Sequence, residues 1–101
     1  MEQTTQLAGQ EATKVTFNTL YRLVEDEYHM LGTGGNGQRV ILIDMMGKMD
    51  ALRPEVETGE EAVVGMILED WERRYEEMRI PRFRSEQGML LRLIDTAKST
   101  S

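Results

Sequence analysis

The only histidine of this chain, His29, lies just before a glycine-rich stretch, residues 32–37, whose sequence is Gly-Thr-Gly-Gly-Asn-Gly. Glycines let backbone N–H groups approach an anion, and a helix that begins after them adds positive potential, so the stretch is a candidate phosphate cradle. A P-loop, however, has Lys-Ser/Thr after its last glycine and a strand before the loop. Here Gln38 and Arg39 follow, and the preceding residues have a helical pattern. We therefore interpret residues 32–37 as a connection between two helices.

The same segment is similar to the phosphoacceptor segment of histidine-containing phosphotransfer domains, which are small helical bundles. Those domains read His-x-Leu-Lys-Gly-Ser, with an exposed histidine as the nucleophile and a lysine that helps neutralise the phosphoryl group. This chain matches at His29, Leu31, Gly32 and Thr33 when one residue is deleted, and that residue is the lysine. The resemblance implies a phosphoacceptor role for His29. The alternative is a surface histidine at a helix end, where its protonated form is favourable.

Carboxylates at helical spacing raise a second chemical option, a metal site. Glu25 lies four residues before His29, a spacing that places two ligands on one helical face. Glu69 and Glu72 offer further oxygen ligands. A Mg²⁺ site of this kind would be similar to that of all-helical nucleoside triphosphate pyrophosphatases, although residues 25–27, Glu-Asp-Glu, have no Glu-x-x-Asp counterpart here. Acidic residues on a solvated helical face are the simpler interpretation, and we predict no metal and no cofactor.

The most distinctive candidate surface is residues 79–84, Arg-Ile-Pro-Arg-Phe-Arg. Guanidinium groups bind carboxylates in bidentate geometry, and arginine and aromatic residues are enriched at protein interfaces. The competing interpretation is that these arginines pair with acidic residues of the same chain, such as Glu76 and Glu77. We predict a partner-binding site at Arg79, Arg82, Phe83 and Arg84, with hydrophobic support from Trp71 and Tyr75.

The residues after the glycines are unusually apolar. The β-branched residues among positions 39–43 favour a short strand, whereas the spacing of the apolar residues from Leu42 to Leu52 favours a helix of about four turns. Apolar residues would surround almost the whole of this helix, more than a small monomer can cover. Core filling is the competing role, especially for methionine. We predict a homodimer contact formed by Val40, Ile41, Leu42, Ile43, Met45, Met46 and Met49.

Helices must position all of these residues. Apolar residues recur at steps of three and four over residues 11–31 and 38–52, and again from a capping-box sequence at residues 58–61 to about Arg79. Pro54 and Pro81 end the second and third helices, and Ser85 is a candidate cap for a shorter fourth. We predict an all-α bundle of three main helices plus a short C-terminal helix. The single domain covers residues 11–97, between flexible segments at residues 1–10 and 98–101.

Composition limits the function. The chain has 101 residues, the size of one domain, and a net charge of −6, which disfavours uniform binding to nucleic-acid phosphates. It has no cysteine, which excludes disulfides and thiolate chemistry and favours a cytoplasmic setting. No segment approaches the roughly 18 apolar residues of a membrane span. We therefore predict a small acidic, non-enzymatic adaptor or regulatory protein that contacts another protein and self-associates.

Overall fold

Helices account for nearly all of the backbone. The computed structural model describes residues 2–100, with side chains for residues 12–99. Its elements are α1 (Glu2–Met30), α2 (Asn36–Ala51), α3 (Arg53–Glu57), α4 (Ala62–Glu77), a 3₁₀ turn (Pro81–Phe83) and α5 (Arg84–Thr100). No strand occurs among residues 2–100, so the all-α class is confirmed and residues 39–43 are helical.

One apolar core holds the helices together. Helix α1 contributes Phe17, Leu20 and Val24, at the steps of three and four that place side chains on one face. Trp71, on α4, is among the largest fully buried side chains. The other helices supply their own stripes to the same core, which include Leu42, Met45, Met49, Val56, Val63, Ile67, Met89, Leu90, Leu93, Ile94 and Ala97. Burial of these stripes stabilises the helices, because most helical stability in proteins comes from tertiary packing of an apolar face.

Polar contacts at the helix margins fix the relative directions of α1, α2 and α4. Tyr21 Oη of α1 donates to Asp50 Oδ2 near the end of α2 (3.3 Å). The Arg39 guanidinium, near the start of α2, lies 5.8 Å from the ring of Tyr28 near the end of α1. These two helices are therefore antiparallel. Helix α4 is antiparallel to α2 in the same way, through the ion pairs Asp44–Arg74 and Lys48–Asp70.

The connection between α2 and α4 differs from the prediction. Residues 58–61 do not form a capping box, because Thr58 Oγ1 donates backwards to the carbonyl oxygen of Glu55 (2.9 Å). Helix α4 begins after Glu61 without a side-chain cap. The reason is that Pro54 lies in the first turn of a separate short helix, α3, and does not only end α2. Proline is tolerated in a first turn, because backbone N–H groups there have no acceptor within the helix. Thr58 is therefore the C-terminal cap of α3.

The C-terminal helix is longer than predicted. Helix α5 has 17 residues, one more than α2 or α4, and begins at Arg84 directly after the 3₁₀ turn, so Ser85 is not its cap. Helical backbone also covers residues 2–10 and 98–100, inside the two segments expected to be flexible. A helical assignment does not measure motion, so the mobility of those segments stays a prediction. Met1 and Ser101 lie outside the described residues.

Candidate functional site

The arginine segment, residues 79–84, is a tight turn between α4 and α5. Ile80 is extended (φ −130°, ψ 137°), the conformation favoured before a proline, and Pro81 then opens the 3₁₀ turn. The backbone N–H of Phe83 donates to the carbonyl oxygen of Ile80 (2.8 Å), which closes the turn. The arginines are thus mounted on a short, hydrogen-bonded backbone.

Two of the three arginines have no acidic partner within the described part of the chain. Arg79 Nη1 lies 3.3 Å from Glu76 Oε2. The Arg82 guanidinium lies 5.0 Å from the ring centroid of Phe83, and neither Arg82 nor Arg84 forms an ion pair with a described carboxylate. Ile80, 49% exposed, adds apolar surface beside them. Among the described acidic side chains, pairing therefore involves Arg79 and neither Arg82 nor Arg84.

The two aromatic residues predicted to support this site differ in exposure. Trp71 is 1% exposed and belongs to the core, so its side chain is not at the surface. It also lines a groove of about 270 Å³ between α2 and α4, together with Met45, Met49 and Met66. Tyr75 is half-buried and packs against the core. Any support that Trp71 gives the arginine segment is therefore indirect, through the packing of α4.

The predicted self-association residues on α2 fall into three groups that differ in burial. Leu42, Met45 and Met49 are fully buried within the subunit, so they are core residues. Ile41 and Met46 are half-buried against the same core. Val40 (68% exposed) and Ile43 (52%) are at the surface. The predicted homodimer residues that a second copy can touch directly are therefore the last two.

The exposed side of α2 also includes two small residues that were not among the predicted contact residues. Gly47 and Ala51 are exposed and follow Val40 and Ile43 at the steps of three and four that keep residues on one helical face. A Cβ added at Gly47 would meet nothing within 4 Å. We call Val40, Ile43, Gly47 and Ala51 the outward face of α2. The spacing of these four residues is visible in the sequence, but only the burial of Leu42 in the structure shows which side of α2 is exposed to solvent.

All four charged residues of α2 are engaged by groups of their own subunit. Arg39 donates to the carbonyl oxygens of Gly32 and Gly34. The other three form ion pairs: Asp44 with Arg74 (2.7 Å), Lys48 with Asp70 (3.4 Å) and Asp50 with Arg53 (2.8 Å). The outward face therefore combines apolar and small side chains, and every charged side chain of α2 already has a partner.

The glycine stretch has a structural role. Gly32 and Gly35 have positive φ (60° and 65°), a conformation that glycine adopts without steric cost. The loop directs the carbonyl oxygens of Gly32 and Gly34 at the Arg39 guanidinium. A phosphate cradle needs N–H groups directed at the ligand instead. The hydrogen bonds from Arg39 therefore explain the conformation of the loop, and no bound anion is needed to explain it.

The structure does not favour either of the two alternative functions, the carboxylate–metal enzyme or the histidine phosphoacceptor. Among residues 12–99, no group of three or more His, Asp or Glu side chains is placed to hold a metal ion. Glu72 forms an ion pair with Lys98 (2.8 Å). His29 is exposed at the end of α1, with its ring nearly perpendicular to the ring of Tyr28 (77°) at 5.8 Å between centroids. No specific contact among the described side chains favours Glu25, Glu69 and Glu72 as ligands or His29 as a nucleophile.

Comparison with known proteins gives no relative: no protein-family model matches the chain, and no curated protein or solved structure matches it significantly. No described helix is long and apolar enough to cross a membrane.

Proposed function

We propose that this protein is a small, acidic, non-enzymatic adaptor or regulatory protein that acts through protein–protein contacts and forms homodimers. The observation that carries the proposal is the exposure of Arg82 and Arg84 beside exposed Ile80, with no acidic partner among the described residues. The chain has 18 acidic and 12 basic residues. Despite this excess of carboxylates, Arg82 and Arg84 form no ion pair with any described side chain. Such arginines suit a partner that supplies carboxylates in bidentate geometry.

A second observation supports self-association. The outward face of α2 has two large exposed apolar side chains, and each charged residue of that helix is already held by its own subunit. Docking of another helix there removes apolar surface from water without breaking an ion pair or leaving a charge buried alone. Cytoplasmic location remains our prediction from the cysteine-free composition.

Affinity capture with matched baits tests the proposed partner site. The bait with Arg82→Glu and Arg84→Glu is compared with the unmodified protein and with Arg22→Glu, which changes an exposed arginine on α1 that has no ion pair among the described residues. We expect the double substitution to lose the partners that the unmodified and Arg22→Glu baits both retain, with unchanged circular dichroism. Equal capture by all three baits would contradict the site.

A further inference from the structure

The groove of about 270 Å³ between α2 and α4 has a floor of apolar side chains. Met45, Met49 and Ile67 line it and are buried, whereas Leu52 is half-buried and Met66 is 52% exposed. Methionine side chains are flexible and fill irregular spaces, so this lining can adjust to an inserted apolar group. The exposed surface of Met66 gains stability when such a group removes it from water. The groove therefore suits the apolar part of a ligand.

Three charged residues line the same groove, and they converge on one atom. Lys48 Nζ of α2 lies 3.4 Å from Asp70 Oδ1 of α4, and Arg73 Nη2 of α4 donates to that same oxygen. Asp70 is half-buried, whereas Lys48 and Arg73 are exposed. Two solvent-accessible cations, one from each helix, are thus held side by side at the groove.

The charges at the groove do not balance. The Asp70 carboxylate serves both cations with one oxygen, and its other oxygen accepts from Arg74 Nε (2.8 Å), whose guanidinium also pairs with Asp44. The other carboxylate near Arg73 is Glu77, 3.9 Å from Nε, and Glu77 does not line the groove. Among the described residues that line the groove, two cations therefore face one anion, an excess of one positive charge beside an apolar floor.

The size of the groove favours a small ligand. Its volume is just below the range of about 300–1,000 Å³ that is typical of small-molecule sites. An α-helix is about 10–12 Å in diameter, so two turns of a partner helix occupy about three times the volume of this groove. A carboxylic acid with one alkyl chain can instead lie within it.

We infer that the groove between α2 and α4 binds a small amphipathic carboxylate, a medium-chain acid whose carboxylate bridges Lys48 and Arg73 and whose alkyl chain covers Met66. The guanidinium offers a planar pair of donors to a carboxylate, and the ammonium adds a compact charge beside it. An amine of the same length would bring a third cation to this place. The inference goes beyond the proposed protein–protein contacts, because it involves neither the arginine segment nor the outward face of α2.

Calorimetric titration with sodium octanoate tests the charge preference, with octylamine and acetate as comparison ligands. We expect octanoate to bind the unmodified protein with a dissociation constant of about 1 mM or below, within the limits for a ligand of about ten non-hydrogen atoms. Octylamine should bind at least about tenfold more weakly. Acetate should give no measurable heat of binding, because it has no alkyl chain to cover the apolar floor.

Substitution of the two cations tests the site. Lys48→Gln with Arg73→Gln should weaken octanoate binding by at least about tenfold, with unchanged circular dichroism. Arg92→Gln with Lys98→Gln is the matched control, because it also removes two cations that form ion pairs, and neither residue lines the groove. The control should keep the affinity of the unmodified protein.

Methyl NMR of the protein labelled at its methionines locates the ligand. Octanoate should shift the methyl signals of Met45, Met49 and Met66. It should leave the signal of Met30 unchanged, although Met30 is the most exposed of the methionines whose burial is described.

Saturable octanoate binding with these shifts and this charge preference supports the inference. Equal affinity for octanoate and octylamine overturns it, and so does equal octanoate affinity of the two double variants. Absence of octanoate binding up to about 10 mM, or shifts at Met30 instead of the groove methionines, overturns it as well. If octanoate does not bind while a Lys48→Gln, Arg73→Gln bait loses a protein that the control bait captures, the groove is a protein contact; the inference is then overturned and the proposed function stands.

Discussion

Arg74 Nη2 of α4 lies 2.7 Å from Asp44 Oδ2 of α2, and this ion pair joins two helices on either side of a groove. The same guanidinium donates through Nε to Asp70 Oδ2 (2.8 Å), one helical turn earlier on α4. Lys48 of α2 also reaches Asp70 (3.4 Å). Asp44 and Lys48 are thus drawn towards α4. Val40 and Ile43 of the same helix are not drawn into these contacts and are exposed to solvent.

Asp70 should make folding stability depend on pH. Burial alone would raise the pKa of Asp70, but the hydrogen bond and charge of Arg74, helped by Lys48, outweigh burial and hold that pKa below the ordinary value of 3.8. A carboxyl whose pKa is lower in the folded state stabilises the fold above the ordinary value. It loses that contribution as the pH falls through the folded-state pKa.

Asp70→Asn should therefore lower the free energy of unfolding at neutral pH by about 1–2 kcal/mol, a range reduced for partial solvent exposure. It should also flatten the loss of stability on acidification below the ordinary pKa. Urea denaturation at several pH values measures both effects. A variant with the unmodified chain's stability and acid dependence would contradict the role of Asp70.

Trp71 should act on stability, not on binding directly. Trp71→Ala removes a fully buried indole, and such truncations cost about 3–5 kcal/mol. That loss is a large part of the free energy of unfolding of a domain, which is about 5–15 kcal/mol. Phe83→Ala, which changes a half-buried ring at the arginine segment, should cost less. Thermal denaturation compares the two, and equal small losses would show that Trp71 is not a core residue.

Two glycines of the connecting loop make a matched pair. Gly32 has φ +60°, and a Cβ added at Gly32 would meet nothing within 4 Å. Gly34 does not have a positive φ, and a Cβ added at Gly34 would meet only the carbonyl oxygen of Leu31, at 4.0 Å. Gly32→Ala should cost about 1–2 kcal/mol, because the left-handed conformation crowds the Cβ. Gly34→Ala should be neutral or stabilise by up to about 1 kcal/mol, since it restricts the unfolded chain. Urea denaturation decides, and equal effects would contradict the backbone argument.

Cysteine crosslinking should map the dimer contact, because the chain has no cysteine of its own. Gly47→Cys places one thiol on the outward face of α2, the surface that we propose for self-association. Gly65→Cys is the matched control: it is also an exposed helical glycine with open space, but it lies on α4. A short bifunctional maleimide should couple Gly47→Cys into dimers far more efficiently than Gly65→Cys. Equal coupling of both variants would argue against the α2 contact.

The helices were predictable because the spacing of apolar residues is a local property of the sequence. The role of Thr58 could not be predicted in this way, because it depends on whether residues 53–57 form a helix of their own. The division of α2 also required the structure. Apolar residues surround most of that helix, so periodicity alone does not distinguish the buried Leu42 from the exposed Ile43. The burial of Trp71 is likewise set by tertiary packing, whereas partner binding by the arginine segment stays a prediction.

The mass of the unmodified protein in solution tests the central claim most directly. Light scattering after size-exclusion chromatography at micromolar concentration should give twice the 11.6 kDa chain mass. The variant with Val40→Asp and Ile43→Asp should give the single-chain mass while it keeps its helical circular dichroism, because both side chains lie at the surface. A single-chain mass for the unmodified protein over the whole concentration range would contradict self-association through α2.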